Sequence, residues 1–528
     1  MNQRNMALYL AVFFMGLSLI NLAVTGSGLF TLILFLGLSF VGFYDITQEK
    51  KAILKNYPII GHLRYLFEYI RPEIRQYFIE SNTESTPFSR NQRSLVYQRS
   101  KEQIDKVPFG SQLDFKKDGY AWLTHSLKPS SLSTHDFRIS IGGPACQNPY
   151  HASVFNISAL SFGAISSKAI ESLNRGAAKG HFYQDTGEGG ISPYHLKGGD
   201  LVWEIGSGYF GCRDESGLFS KEKFSSMATL DEVKMVEIKL SQGAKPGHGG
   251  ILPGKKVSNE IAKARDVKPF EDCISPAKHQ AFSNPIELLQ FIQELRDISN
   301  GKPVGIKLCI GKINEWFSIV KAMLKAGITP DFIVIDGAEG GTGAAPLEFI
   351  DHVGMSVRDA IHLVHNSLIG VQLRDRIKLG CAGKVISAFD ICYMLALGAD
   401  WCNSARGFMF SLGCIQSMSC HTDKCPTGIA TQDPLRQEGL SITDKEERVF
   451  HYHQNTLIAL KELIEASGLT SLSEITKDLI FEKNGDSVQS LSEKYPTLEP
   501  GSLLTGKVSS LPSWWRLNWE KASEEQFL

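Results

Sequence analysis

The sequence has no surplus of positive charge: 55 lysines and arginines stand against 56 aspartates and glutamates, a formal net charge of -1. A chain without such a surplus is poorly suited to neutralising phosphates, which argues against nucleic acid as its main partner. Cysteine is sparse, ten in 528 residues, which excludes the disulfide scaffold of a small secreted domain and favours a reducing compartment. Internal repeats and coiled-coil heptads are also missing. What is present is an ordinary globular composition, 43% hydrophobic and 21% charged, large enough for one big barrel with appendages and suited to small-molecule chemistry.

Two apolar runs open the chain. Residues 6–24 are long enough to cross a hydrocarbon core of ~30 Å as a helix, and residues 29–44 follow after only Thr25-Gly26-Ser27-Gly28. A link this short reverses the chain. Arg4 and Lys50, Lys51, Lys55 and Arg64 lie outside the pair, so the positive-inside rule puts both ends in the cytoplasm. The expectation for residues 1–48 is a transmembrane hairpin in the inner or cell membrane, with the remainder of the chain cytoplasmic; the alternative is a cleaved signal peptide. Residues 49–104 are expected to be a juxtamembrane helical linker. Within it, residues 59–80 mix aromatic and basic residues and suit either an interfacial helix broken before Pro72 or a helix packed on the barrel. Residues 81–104 are polar and serine-rich, the composition of a linker.

From about residue 150 the pattern becomes short apolar runs, each followed by a Gly-rich loop and a helical stretch, which is βα alternation. Strands are expected at 154–160, 181–185, 201–206, 234–240, 304–310, 331–336, 376–382 and 401–405. Eight such units predict an α/β fold, a TIM (β/α)8 barrel over residues 105–440, whose active site lies at the C-terminal ends of its strands. Residues 441–528 are expected to be a C-terminal helical extension, opened by an amphipathic helix at 444–467, with Trp514, Trp515 and Trp519 as packing surface.

After the eighth strand, GCIQSMSCHTDKCPTGIATQ (413–432) places Cys414, Cys420 and Cys425 in one loop. Neither gap is the two-residue spacing of zinc ribbons and of most four-iron ferredoxin runs, and no fourth cysteine lies close in sequence. The spacing suggests a 3Fe-4S cluster; a Cys3His zinc with His421 and three unconnected thiols are the alternatives. Just before it, Ala382-Gly383 ends strand seven, and Asn403-Ser404-Ala405-Arg406-Gly407 ends strand eight. Small residues there let backbone N–H groups approach a phosphate. Gly340, Gly341, Thr342 and Gly343 add such donors after strand six, although barrel loops also carry glycine simply to turn. Lys307 is a charge inside an apolar strand and requires a partner, either a reduced flavin or an ion pair with Asp336. Lys239 is a weaker candidate of the same kind.

The cysteine loop, together with LSFGAIS (160–166), TGEGG (186–190), SGYFG (207–211), QGAKPGHGGILPGKKV (242–257) and GAEGGTGAAP (337–346), in that order, resembles the FMN-binding domain of glutamate synthases over roughly residues 105–470. That resemblance implies FMN and a 3Fe-4S cluster as cofactors. Ser161, Lys307, Asp336, Gly340, Gly341, Thr342, Gly343, Gly383, Ala405 and Arg406 would hold the flavin, with Lys307 beside its N1/O2 edge, and Cys414, Cys420 and Cys425 the cluster. It further implies reduction of 2-iminoglutarate formed from 2-oxoglutarate and ammonia. Lys245 and Arg265 would take the carboxylates, and Glu188 would recruit ammonium or carry a proton. Where the synthases read GAKPGEGGQLPG this chain has His248 and Ile251, so its carbon substrate departs from the family's expectation. No N-terminal cysteine nucleophile domain is expected, and hence no glutamine hydrolysis. The expected function is a membrane-tethered oxidoreductase with an unidentified electron donor and possible homo-oligomerisation. The alternatives are a flavoprotein of the N-methylglutamate synthase type and a non-catalytic membrane electron-transfer protein.

Overall fold

The computed structural model describes residues 3–506 and 512–527. The chain divides into two compact units, residues 1–90 and 91–528.

The first unit is helical. α1 (Met6–Thr25) and α2 (Leu29–Thr47) are 20 and 19 residues long, apolar throughout, and only 17% of each is buried. They are long and apolar enough to cross a membrane. Gly26 and Gly28, with φ of +68° and +98°, make the turn between them. Thr25 and Ser27 hydroxyls 2.7 Å apart, and an Asn21 amide donating to the Ser27 carbonyl at 3.2 Å, satisfy the polar groups there. The rings of Phe14 and Phe35 stack between the two helices at 5.3 Å. α3 (Gly61–Ile74) contains Pro72 rather than ending before it, and runs into a π-helical turn, Arg75–Ile79. The ring removes one N–H from the ladder, and the helix absorbs that loss by widening instead of stopping.

The second unit holds the barrel. Its strands are β1 (Phe155–Ile157), β2 (Gln184–Asp185), β3 (Leu201–Ile205), β4 (Val233–Lys239), β5 (Val304–Leu308), β6 (Phe332–Asp336), β7 (Lys378–Ala382) and β8 (Trp401–Ser404). They close in sequence order, every pair parallel, with β8 on β1 through Asn403 opposite Asn156. Seven of the eight expected stretches contain one of these strands, and the fourth, 234–240, overlaps Val233–Lys239, which begins one residue earlier. Their near-continuous burial follows from being covered on both faces, by side chains inside and helices outside. The long helix Ile442–Ala466 packs on Ser167–Gly180 so closely that a Cβ on Gly176 would lie 2.5 Å from Val449 Cγ1.

Two stretches differ from expectation. The polar segment 81–104 includes the helix Arg90–Ser100, in which Arg93, Val96, Arg99 and Ser100 are buried. Arg99 reaches Asp105 at 3.2 Å, so polar side chains here pack through partners rather than solvating a linker. The extension after 441 is not wholly helical: Ile480–Asn484 and Ser487–Ser490 pair antiparallel across the two-residue loop Gly485-Asp486 and add Ala121–Leu123 as a third strand. Gly485, with φ of +58° at the first loop position, is the local signal for that hairpin. Of the tail tryptophans, Trp515 and Trp519 pack against Phe317 at 5.8 and 5.4 Å, whereas Trp514 is exposed.

Candidate functional site

Every candidate residue but Lys307, which lies within β5, is at or beyond the C-terminal end of a barrel strand, where loops from sequentially distant strands converge. TGEGG after β2 folds against LSFGAIS after β1: a Cβ on Gly187 would lie 2.7 Å from the Ser161 backbone nitrogen. One on Gly189 would lie 3.0 Å from Ser161 Cβ and 3.1 Å from Arg265 Nη2, so Ser161 borders the Arg265 group. Glu188, Lys239, Gln242, Lys245 and His248 line one cleft with Ser207 and Gly249.

In that cleft Lys239 Nζ donates to Glu188 Oε2 and to Gln242 Oε1, both at 3.0 Å. Burial alone would raise the Glu188 carboxyl, but the charges of Lys239, then Arg265 and Lys245, pull it down to about 2. Lys245 is buried, with the Gly249 carbonyl at 3.2 Å, and burial lowers its ammonium. Arg265 is also buried: Nη2 donates to the Phe162 carbonyl at 2.9 Å and the guanidinium lies 5.1 Å over the Phe210 ring, while Nε has no partner. Three buried or half-buried cations therefore surround one carboxylate.

Below this cleft is a group that sequence reasoning did not assemble. Lys307 is buried inside the barrel and bonds Glu204, with Glu237 at 3.2 Å and Asp185 at 3.6 Å. The alternative for Lys307, an ion pair with Asp336, is not the one formed; β2, β3 and β4 place acids nearer, because inward positions alternate along each strand. Asp336 instead accepts from the Gly243 N–H at 2.9 Å, and burial raises its carboxyl. Glu237 is held well above the usual carboxylate range by burial and by the Asp185 charge. The oxygens of Asp185, Glu204 and Glu237 all lie within 4.8 Å, but the Lys307 ammonium occupies the place a cation would take. The signal for Glu204 and Glu237 was the one that exposed Lys307: a charge in an apolar strand. Lys239 bridges the two groups, 3.8 Å from Glu204.

The Gly-rich loop after β6 is the hub. A Cβ on Gly340 would lie 3.1 Å from Ala244 N, one on Gly341 3.2 Å from Arg406 Nη1, and one on Gly343 3.2 Å from the Cys420 carbonyl carbon. Thr342 lies between these contacts. Arg406, which follows Ala405 after β8, donates from Nη2 to the Glu339 carbonyl at 2.6 Å; burial lowers it to about 10. Gly383 after β7 packs on Val357, where a Cβ would come within 2.7 Å.

The cysteine loop meets this hub at Gly343. Burial pushes the Cys414 thiol up to about 12 and raises Cys420. Cys425 behaves oppositely: burial raises it, but the Thr427 hydroxyl at 3.3 Å and the N–H groups of Ala430, Thr427 and Ile429 together bring it below the ordinary thiol value. Tyr97 donates to the Cys414 carbonyl at 2.5 Å, and Lys256 lies 3.4 Å from the Cys420 carbonyl and 3.6 Å from Asp423. Neither Tyr97 nor Lys256 stood out in the sequence. Of the two departures from the synthase pattern, His248 lines the cleft, whereas Ile251 pairs with Ile274 in a short strand and is 51% exposed.

A parallel eight-stranded barrel with charged residues gathered at the C-terminal mouth is the architecture of a TIM-barrel enzyme. The family model "Conserved region in glutamate synthase" matches residues 139–470, more than half of the chain. The glutamate synthase large subunit-like protein YerD of Bacillus subtilis is 37% identical over 487 residues, covering 84% of this chain and 92% of YerD. The archaeal-type glutamate synthase [NADPH] of Thermotoga neapolitana is 34% identical over 320 residues, 60% of each chain. A solved flavocytochrome b2 with pyruvate bound aligns at 14% identity over 85% of this chain and 92% of its own, with a TM-score of 0.42, too low to bear on function. The chain belongs to the glutamate synthase family, and it is an oxidoreductase of that type.

Proposed function

We propose that this chain reduces an imine of a 2-oxo dicarboxylic acid, 2-oxoglutarate in the first instance, formed with free ammonia, using FMN and a 3Fe-4S cluster. The observation that carries the reading is the make-up of the cleft: Glu188 is the one acid among its lining residues, with Lys239 and Lys245 beside it and Arg265 behind, and Lys239 is shared with Glu204 at 3.8 Å. Among the described residues Lys245 and Arg265 form no ion pair within 4.0 Å, which favours a ligand that brings two carboxylates. Arg265 offers an unpartnered Nε and Lys245 two further protons toward carboxylate oxygens.

The residues support the two cofactors without specifying their poses. Backbone N–H groups of residues 341–343, with Arg406 beside them, suit a phosphate-bearing flavin, while the Gly340 N–H closes the turn onto the Gly337 carbonyl at 3.0 Å. Among the described residues the three loop cysteines do not gather their sulfurs within 4.8 Å of one another. The sulfurs around one tetrahedral zinc would lie about 3.8 Å apart, so the loop is not drawn up around a single ion, and the cluster reading stands on the sequence spacing of the three cysteines. When bound, FMN supplies two-electron hydride chemistry and the cluster single-electron transfer. Contact between Gly343 and Cys420 supports the two acting together.

Glu188 stays ionised at working pH, which suits holding an ammonium ion better than general acid–base work, for which the ideal group titrates near neutrality. Lys245 and Arg265 orient the oxo acid, and the Lys239 ammonium keeps the Glu188 carboxylate directed across the cleft. The hairpin α1–α2 we assign as a membrane anchor with both ends cytoplasmic, supported by its apolar, largely unburied helices and by the cations outside them. The test is to give photoreduced, reconstituted enzyme 2-oxoglutarate and 15N-ammonium: labelled glutamate with flavin reoxidation is expected, and no product with a range of 2-oxo diacids sinks the reading.

A further inference from the structure

Hydrophobic residues on α3 and the turn after it recur at helical spacing: Leu63, Leu66, Phe67, Ile70, Ile74, Tyr77 and Phe78. That is the i, i+3, i+4, i+7 pattern of one continuous face. The face is open. Leu63, Leu66, Phe67, Tyr77 and Phe78 are 50%, 51%, 60%, 53% and 85% exposed. A contiguous apolar surface of this length on a water-facing helix implies an occupant. α3 is not itself a span, because its 14 residues carry Arg64, Glu68 and Arg71.

Two observations point to the occupant. The first is the attachment of α3. Asp45, in the last turn of α2, is fully buried; it accepts from the Ile59 N–H at 2.9 Å and lies 3.0 Å from His62 Nε2. This fastens the first turn of α3 to the end of the apolar hairpin, at the level where a membrane span meets water. Lys51 also lies 4.6 Å over the Tyr65 ring, on the side of α3 away from the apolar face. The second is charge. Arg64, Arg71 and Arg75, spaced i, i+7 and i+11, run along one flank of the stripe, where long cationic side chains reach lipid phosphates while their stems cover hydrocarbon; Arg64 also pairs with Glu68 at 3.0 Å, an exposed contact of the kind worth little that a phosphate can replace.

We propose that α3 and the turn Arg75–Ile79 lie flat in the headgroup region of a phospholipid leaflet, with the apolar stripe immersed and the three arginines on phosphates. The proposal rests on the reading of α1 and α2 as a membrane anchor. Trp122 is the first tryptophan in the chain, so single tryptophans introduced before residue 90 report their own surroundings against the wild-type background. The full chain would be reconstituted in vesicles of phosphatidylcholine and phosphatidylglycerol carrying bromine at either shallow or deep acyl positions.

Phe67→Trp and Phe78→Trp should lose fluorescence chiefly to shallow bromines, Tyr69→Trp on the flank away from the arginines should be quenched clearly less, and Phe13→Trp in α1 should be quenched chiefly by deep ones. Quenching of Phe13→Trp with none at 67 or 78 would overturn the proposal and leave the anchor standing; blue-shifted but unquenched emission at 67 and 78 would do so in favour of a protein occupant. Equal quenching at 67, 69 and 78 would overturn the flat orientation. An unquenched Phe13→Trp would bring down the anchor reading, and the proposal with it.

Discussion

Lys239 and Glu188 are joined at 3.0 Å across the mouth of the barrel, one ending β4 and the other in the loop after β2. The same lysine stands 3.8 Å from Glu204, so it links the open cleft to the charged interior around Lys307. A folded-state value of about 2 for Glu188 lies below the ordinary 4.5. The folded chain then binds fewer protons than the unfolded one between those values, so this stabilisation is complete above about 4.5 and is lost as pH falls toward 2. The stability difference between wild type and Glu188→Gln, measured by urea denaturation, should shrink as pH drops below 4.5. A difference that instead appears only near neutrality would mean Glu188 is not held ionised.

Removing a cation from the cleft should weaken any anionic substrate. Lys245→Ala and Arg265→Ala should each raise its apparent KM by roughly thirtyfold or more, as expected when a buried charge loses its partner, at about 2 kcal/mol or above. The measurement is steady-state kinetics with 2-oxoglutarate and ammonium. Unchanged constants in both variants would remove the carboxylate site from this cleft.

The three loop cysteines should hold iron and acid-labile sulfide after anaerobic purification. Cys420→Ser and Cys425→Ser should each lose most of the iron, read by metal analysis and by the electron paramagnetic resonance signal of the oxidised protein. One zinc per chain, or iron retained in both variants, would refute the cluster.

Ile251→Gln should alter apparent substrate affinity by no more than about twofold, the range typical of an exposed position away from caps and ion pairs. The side chain is half exposed and pairs with Ile274 outside the cleft. His248 lines the cleft, so His248→Glu is the substitution expected to change substrate preference. A large gain from Ile251→Gln with none from His248→Glu would reverse this assignment.

Ser27→Cys, in the turn between α1 and α2, should react with a membrane-impermeant thiol reagent added outside intact cells, whereas Lys51→Cys should not. The opposite pattern would invert the hairpin, and a mature chain starting near Thr25 would show a cleaved signal.

The barrel strands were legible in the sequence because a parallel strand covered on both faces is a short apolar run, and each such run here ends in a Gly-rich loop. The cysteine loop and the two apolar helices were equally local, being matters of spacing and length. Pairing among charges was not. Lys307 announced that it needed a partner, but the choice of Glu204 over Asp336 depends on which inward positions the closed barrel brings to one level. Arg90–Ser100 was hidden because its buried residues other than Val96 are polar, and polar residues reveal burial only through partners supplied by distant chain, as Thr456 supplies the Arg99 guanidinium. The meeting of Gly343 with Cys420, and of Lys256 with the same loop, likewise exists only once eight strands have closed. Sequence determines what each segment is, through periodicity, turn chemistry and spacing; tertiary structure decides which charges share a low-dielectric interior, because that is set by contacts between residues far apart in the chain.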